Sequence, residues 1–402
     1  MTKFILTIGL FIASTFLYAQ NPYAKLFTAG SVKSKALINK VPISIQGDLI
    51  LIKAKVNGLE GTFLWDNGFS APTLNKDFAK KAGVKISNIQ NITAVDGNND
   101  NVELSTFKLK ELSIGSIVFN DFYFSTMDLN IFSSQMCGTQ LDGVLGATLI
   151  NQLNWDFNFD QSMVQISTQV FDKKEAVKIP FTIGDSQLHF VELTLNDYKI
   201  QEAIIDFGMN AEDMMIHKDG AFLFDKQNRI LRMGSFASSI ANKITIDTAY
   251  TIDTAYTLKV GGQPIKKVPY VNLTAATAHP ATLGNPFFRN TSNVIINTKQ
   301  KNYLLYPRLK PIQTKAKITY GITIVPVDGK WLVLGLIPDH NDVKNSAVQL
   351  MDEIKTIDKK PVESFVYECE LTKYLDQSSL ANQPLEVTFK NGKTVLFSPV
   401  KV

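Results

Sequence analysis

Cysteine is nearly absent from this chain of 402 residues: Cys137 and Cys369 are the only two, and they stand in segments of different character. Two distant thiols do not build a disulfide framework, so both are expected as buried or half-buried free thiols. Histidine is scarce as well. His189, His217, His279 and His340 lie far apart, with none of the spacings that clasp a zinc ion, so each is read as a surface or structural residue and neither a metal nor a cofactor is implied. The formal charge of +4 is small for this length, and the lysines and arginines are spread out, not gathered with aromatics, which removes the electrostatic basis for nucleic-acid binding. Long apolar runs are missing except at the start, where Lys3 precedes an apolar stretch from Phe4 to Ala19 and the polar Gln20-Asn21-Pro22. That stretch is short for a bilayer span and has no basic residues on its far side, so residues 1–19 are read as a secretory signal peptide cleaved after Ala19. No cysteine follows to carry a lipid anchor. The expectation is an exported protein, periplasmic or extracellular, without stable membrane insertion; its oligomeric state stays open.

Hydrophobic residues make up 45% of the chain, enough for a large core and two or three domains. From Pro42 to Ser167, short runs rich in Ile, Val, Phe and Thr are punctuated by Asn, Asp and Gly, the grammar of antiparallel sheet. One helix is expected over Leu74–Ala82, capped by Asn75 and ended by Gly83. The same grammar recurs from about Ile179 to Pro307, giving lobes at 20–173 and 174–308. After a linker at Pro307–Pro311, residues 315–402 read as a small α+β unit. It has strands at Trp331–Ile337 and Glu353–Ile357, a helix or turn near Ser346–Met351, a helix over Val362–Leu375 and a hairpin turning at Asn391-Gly392. The doubled hexapeptide Thr245–Tyr250 and Thr251–Tyr256 preserves strand facing because its length is even, and it reads as a lengthened strand or hairpin without chemistry.

What is present twice is an aspartate at the end of an apolar strand and the start of a glycine turn: Leu64-Trp65-Asp66-Asn67-Gly68 and Ile204-Ile205-Asp206-Phe207-Gly208. Each is followed, at nearly the same distance, by an apolar step into glycine, Val144-Leu145-Gly146 and Thr282-Leu283-Gly284. A hairpin precedes each aspartate strand, at Val56-Asn57-Gly58 and at Leu195-Asn196-Asp197. Such an internal repeat implies two similar lobes that bring the aspartates together. Two carboxyls in contact cannot both ionise cheaply; sharing one proton, they supply a base to activate water and an acid for the leaving nitrogen. Gly68 and Gly208 let backbone approach the carboxylates closely. Trp65, Met214-Met215 and Phe287-Phe288 are assigned to core packing.

The segments Phe63–Ser70, Leu141-Asp142-Gly143-Val144-Leu145-Gly146, Ile204–Asn210 and Leu283-Gly284-Asn285-Pro286-Phe287-Phe288 resemble the pepsin/retropepsin-like aspartic proteases, in particular secreted bacterial ones with a C-terminal PDZ domain. The resemblance implies a mainly β, bilobal pepsin-like fold followed by a small α+β PDZ-like domain. It implies catalytic roles for Asp66 and Asp206, a flap over Val95–Glu103 with Asp96, Gly97 and Asn98 at its tip, and peptide or unfolded protein as substrate. It also sets Tyr320, Gly321 and Ile322 at a PDZ peptide-binding turn. The family's hydroxyl after each aspartate, which bonds across the two loops, is replaced by Asn67 and Phe207. Asn67 still donates and accepts, whereas Phe207 carries no polar group. Ser70 is expected to support the outer oxygen of Asp66, and Asn210 that of Asp206. Two functions follow: an aspartic endopeptidase, or a pseudo-protease on the same fold that holds extended peptides in the cleft or the PDZ groove.

Overall fold

Period-two burial makes the sheet: along Leu49–Val56 the side chains of Ile50, Ile52, Ala54 and Val56 are buried, and Phe63 and Trp65 continue the same face along Leu59–Trp65. These strands join through Asn57 and Gly58, both at positive φ (49° and 84°), the geometry a two-residue hairpin needs to match strand twist. The computed structural model describes residues 26, 29–87, 89–95, 101–172, 175–210, 213–235, 246–252, 257–265, 271–275, 277–310 and 318–401. The segment expected as a signal peptide, the flap-tip residues Asp96, Gly97 and Asn98, and parts of the doubled hexapeptide and the linker lie outside these residues.

The two lobes share one strand order. In the first, Leu59–Trp65 runs parallel to Gly143–Leu145, which is antiparallel to Thr73–Asn75, which is parallel to Ile117–Met127. In the second, Tyr198–Asp206 runs parallel to Ala281–Gly284, which is antiparallel to Met214–His217, which is parallel to Val271–Thr274. Each aspartate thus ends a strand flanked by its own glycine step, with Trp65 opposite Leu145 and Asp206 opposite Gly284. The hairpin before the second aspartate turns through Asn196 and Asp197, again at positive φ (47° and 65°).

Among the described residues, one ladder joins the lobes. Asn154–Asn158 pairs antiparallel with Thr291–Asn297, Trp155 opposite Ile296 and Phe157 opposite Val294. Met163–Ser167 and Ile38–Gln46 continue this sheet on one side, Asn302–Pro307 and Val177–Pro180 on the other. One apolar core consequently runs through both lobes and includes Trp65, Trp155, Phe157, Phe207, Phe288 and Tyr303. Met214 and Phe288 belong to it, Phe287 packs against it and Met215 is half-buried.

Residues from Tyr320 to Phe397 form a second core with Ile322, Val333, Ile354, Leu371 and Val387. Ile322–Val327 and Lys330–Leu336 make a hairpin, and Ile354–Ile357 pairs with Leu385–Phe389, which pairs with Thr394–Phe397. The short helix covers Asn341–Ser346, ending where it was expected to begin, because Ala347 turns left-handed (φ 49°). The helix expected over Val362–Leu375 instead runs Glu368–Leu380, after a single 3-10 turn at Val362–Ser364. Its start is set by Glu370, whose carboxylate accepts from the N–H groups of Val366 and Tyr367 at 2.8 and 3.3 Å.

The C-terminal unit is tied to both lobes. Arg229–Gly234 of the second lobe pairs with Lys330–Leu336, and its partner Asp247–Ile252 lies within the doubled hexapeptide. On the first lobe, Cys137 and Cys369 form a disulfide with their Cα atoms 5.5 Å apart, correcting the expectation of free thiols. The approach comes from docking of the helix start, where Glu368 and Cys369 donate backbone N–H groups to Ser134 Oγ and O at 2.9 and 3.3 Å. Between residues this distant in sequence, no local spacing announces the pair.

Candidate active site

The strand order brings Asp66 and Asp206 face to face, close enough for a hydrogen bond between their carboxyls. A Cβ added at Gly68 would overlap the Asp206 carboxyl, and one at Gly208 would overlap that of Asp66, so each glycine is required by the opposite aspartate. Neither glycine has positive φ; the constraint is space, not backbone conformation. Each aspartate also accepts backbone hydrogen bonds from its own turn. Gly68 N–H reaches Asp66 Oδ1 at 2.9 Å, and Gly208 and Met209 N–H reach Asp206 Oδ1 at 2.7 and 3.2 Å.

Half-buried by surface area, both carboxyls are nonetheless closely surrounded by protein atoms. That burial is the largest cause holding Asp66 well above the usual carboxylate range, with the neighbouring Asp206 charge next. Burial also raises Asp206, and the two backbone donors and the hydrogen bond from Asp66 draw it back down. Two carboxyls this close and this enclosed do not ionise independently, so the titration belongs to the pair and not to either residue.

Beneath the dyad the two turns are held differently. Asn67 is fully buried and reaches across the pseudo-twofold: its Nδ2 donates to Ile205 O at 2.8 Å, and its Oδ1 accepts from Phe207 N–H at 2.9 Å. One amide therefore grips the peptide groups on either side of Asp206. Phe207 returns no hydrogen bond from its side chain. Its ring packs edge-on against Trp65, centroids 5.4 Å apart, and stacks on Phe288 at 4.7 Å. The expected cross-loop tie is thus polar in one direction and aromatic in the other. Trp65 is fully buried core, and its indole N–H has no hydrogen-bond acceptor.

Ser70 and Asn210 do not hold outer carboxylate oxygens. Ser70 acts through its carbonyl, which accepts from Thr148 N–H at 3.1 Å and Thr148 Oγ1 at 2.8 Å and so anchors the helix Ala147–Ile150. Asn210 turns to the first lobe and donates from Nδ2 to Gly47 O at 2.9 Å, next to Asn285, which donates to Asp48 O. Both expectations rested on sequence position. The structure gives the Asn210 side chain to lobe docking and uses Ser70 through its backbone carbonyl.

Sequence reading missed a buried polar row behind Asn67. Tyr303 Oη lies 3.0 Å from Asn67 Nδ2 and 2.6 Å from His189 Nδ1, and His189 Nε2 lies 2.6 Å from Asn151 Oδ1. Burial pushes His189 down to about 3 and Tyr303 well above its usual range, so both are neutral at ordinary pH. The only sequence signal was a histidine in register with Val191, Leu193 and Leu195, the apolar face of the strand His189–Leu195.

At the other expected site, Tyr320 is buried and donates to Gln383 O at 2.8 Å, Gly321 is at φ 77° against the His340 ring, and Ile322 opens the strand Ile322–Val327. Among the described residues no cluster of three or more His, Cys, Asp or Glu could hold a metal ion, and no helix is long and apolar enough to cross a membrane.

A family model described as aspartyl protease matches residues 52–149, a span that contains Asp66 and the Asp142–Gly146 element but not Asp206. Among solved structures, the crystal structure of Basic 7S globulin from soybean is similar with a TM-score of 0.40 and 9% identity, over 67% of this chain and 94% of that one. No curated protein is similar in sequence to this chain.

Proposed function

We propose that this protein is an exported aspartic endopeptidase in which Asp66 and Asp206 share a proton to hydrolyse peptide bonds. The observation that carries the reading is the contact of two carboxyls, each closed in by the other lobe's glycine. Ionised Asp206 takes a proton from water as the water oxygen bonds to the peptide carbonyl carbon, and Asp66 gives its proton to the carbonyl oxygen. The resulting diol collapses with Asp206 protonating the leaving nitrogen, the C–N bond breaking and a diol proton returning to Asp66. The pair ends as it began.

Export is supported by the apolar N-terminal run and by the Cys137–Cys369 disulfide, which suits an oxidising compartment. The C-terminal unit is read as PDZ-like. Its glycine turn at Gly321 leads into Ile322–Val327, whose outer edge pairs with no other described strand and suits addition of an extended peptide.

A second reading, a pseudo-protease that binds peptide without cleaving it, is favoured by the missing polar group at Phe207. Incubating the purified protein with a denatured protein substrate from pH 3 to 8 separates the two. The endopeptidase reading expects new peptides, lost in both Asp66→Asn and Asp206→Asn. Binding without cleavage at every pH, or cleavage surviving either substitution, overturns it.

A further inference from the structure

The row behind Asn67 has only one consistent set of proton positions. Asn151 donates from Nδ2 to Gln187 O at 2.8 Å, so its Oδ1 is the acceptor facing His189. His189 must then carry its proton on Nε2, which leaves Nδ1 to accept from Tyr303 O–H. With its proton so directed, Tyr303 Oη accepts from Asn67 Nδ2. The second Nδ2 hydrogen of Asn67 goes to Ile205 O, and its Oδ1 receives Phe207 N–H. Each step from Gln187 to Phe207 thus passes between lobes or between buried side chains with donor and acceptor matched, and the amide of Asn67 cannot flip without breaking the row.

The row exists on one side only. Phe190 pairs with Ile204 and Leu51 with Leu64, in each case two residues before the aspartate, so the residue before Phe190, His189, corresponds to Ile50 in the first lobe. Ile50 is apolar. His189 also stacks on Phe181 with centroids 4.0 Å apart, which fixes its ring plane.

We infer that His189 and Tyr303 are positioning residues for the dyad, acting through Asn67 to fix the Asp206 turn in place of the hydroxyl that the turn lacks. The inference rests on the endopeptidase reading for its kinetic consequence but not for its geometric one. Burial holds His189 down to about 3, so the row stays intact at pH values well above that.

Tyr303→Phe removes one hydroxyl and little volume. It is expected to lower kcat ~10-fold or more with KM within about twofold, because a loosened turn misplaces the reacting carboxyl without altering the cleft. His189→Asn, which retains an acceptor near the Nδ1 position, is expected to keep more activity than His189→Gln, although Gln fills the space better; a packing role alone gives the opposite ranking. Carbon-13 carboxyl NMR titration of the dyad, with signals assigned through Asp66→Asn and Asp206→Asn, supplies a reading independent of turnover. The pair's apparent pKa values are expected to move by about half a unit or more in Tyr303→Phe relative to the wild type.

Unchanged titration and unchanged kcat in a Tyr303→Phe protein that merely melts earlier overturn the inference. If the wild type cleaves nothing, the titration decides alone: a shift upholds the positioning role while the endopeptidase reading falls, and no shift removes both.

Discussion

The Asp66 and Asp206 turns descend from the same strand order and face the same partner, yet they are held by opposite means. The Asp206 turn is gripped on both sides by the buried amide of Asn67, itself held by Tyr303 and His189. At the Asp66 turn no such amide is found among the described residues, and the residue before the aspartate, Trp65, is packed by Phe207 from the other lobe. A symmetrical fold therefore need not use symmetrical forces. One hydrogen-bonding group long enough to both donate and accept can serve a whole turn, and the position across from it is then free to join the core. Phe207 is fully buried and bridges Trp65 to Phe288, continuing the aromatic row of Trp155 and Phe157 through the interlobe sheet.

The difference predicts unequal responses. The largest concerns the polar half under acid. A histidine held to about 3 when folded, against 6.5 when free, contributes stability that is fully present above pH 6.5 and is lost as pH falls toward 3, about 5 kcal/mol. Urea titrations at pH 4 and pH 7 should therefore show a shallower acid loss in His189→Phe than in the wild type; equal losses would show that His189 does not report on the buried row. On the apolar half, Phe207→Ala should cost about 4 kcal/mol at every pH by opening a cavity between Trp65 and Phe288. Asn67→Ala should cost about 2 kcal/mol, chiefly by leaving Phe207 N–H and Ile205 O without partners, and should lower activity out of proportion to stability. Where the turns are alike, the responses should be alike. Gly68→Ala and Gly208→Ala each push a methyl group into the opposite carboxyl, and each should reduce cleavage by about 100-fold with similar melting temperatures. A large difference between these two would mean that the aspartates are not equivalently enclosed.

The duplication was legible because it is written in local terms: an apolar strand, an acid, a glycine and a later glycine step recur in order, and hairpins at Asn57-Gly58 and Asn196-Asp197 carry their own turn chemistry. The helix at Lys76–Lys81 was legible for the same reason, since Asn75 accepts from Asp77 N–H at 2.9 Å and Gly83 follows at φ 63°. What escaped depends on contacts made only after the chain is folded. Cys137 meets Cys369 because a helix start docks on Ser134. His189 and Tyr303 meet because two strands of the second lobe from different sheets pack together, and Asn210 faces Gly47 because two lobes close. Even Phe207, which brings no polar group to the turn, is explained by two aromatic neighbours from separate elements, Trp65 and Phe288.

The central claim is that two acids from two lobes hold one proton. Both carboxyls are raised above their unfolded values, so the fold loses stability as pH climbs through the folded values, and replacing either acid should relieve that loss. Denaturation of the wild type, Asp66→Asn, Asp206→Asn and the double variant from pH 4 to 8 tests this directly. A shared proton predicts that the two single substitutions together relieve more than the double variant does, because each removes the same coupling between the acids. Penalties that add independently, or none at all, would contradict it.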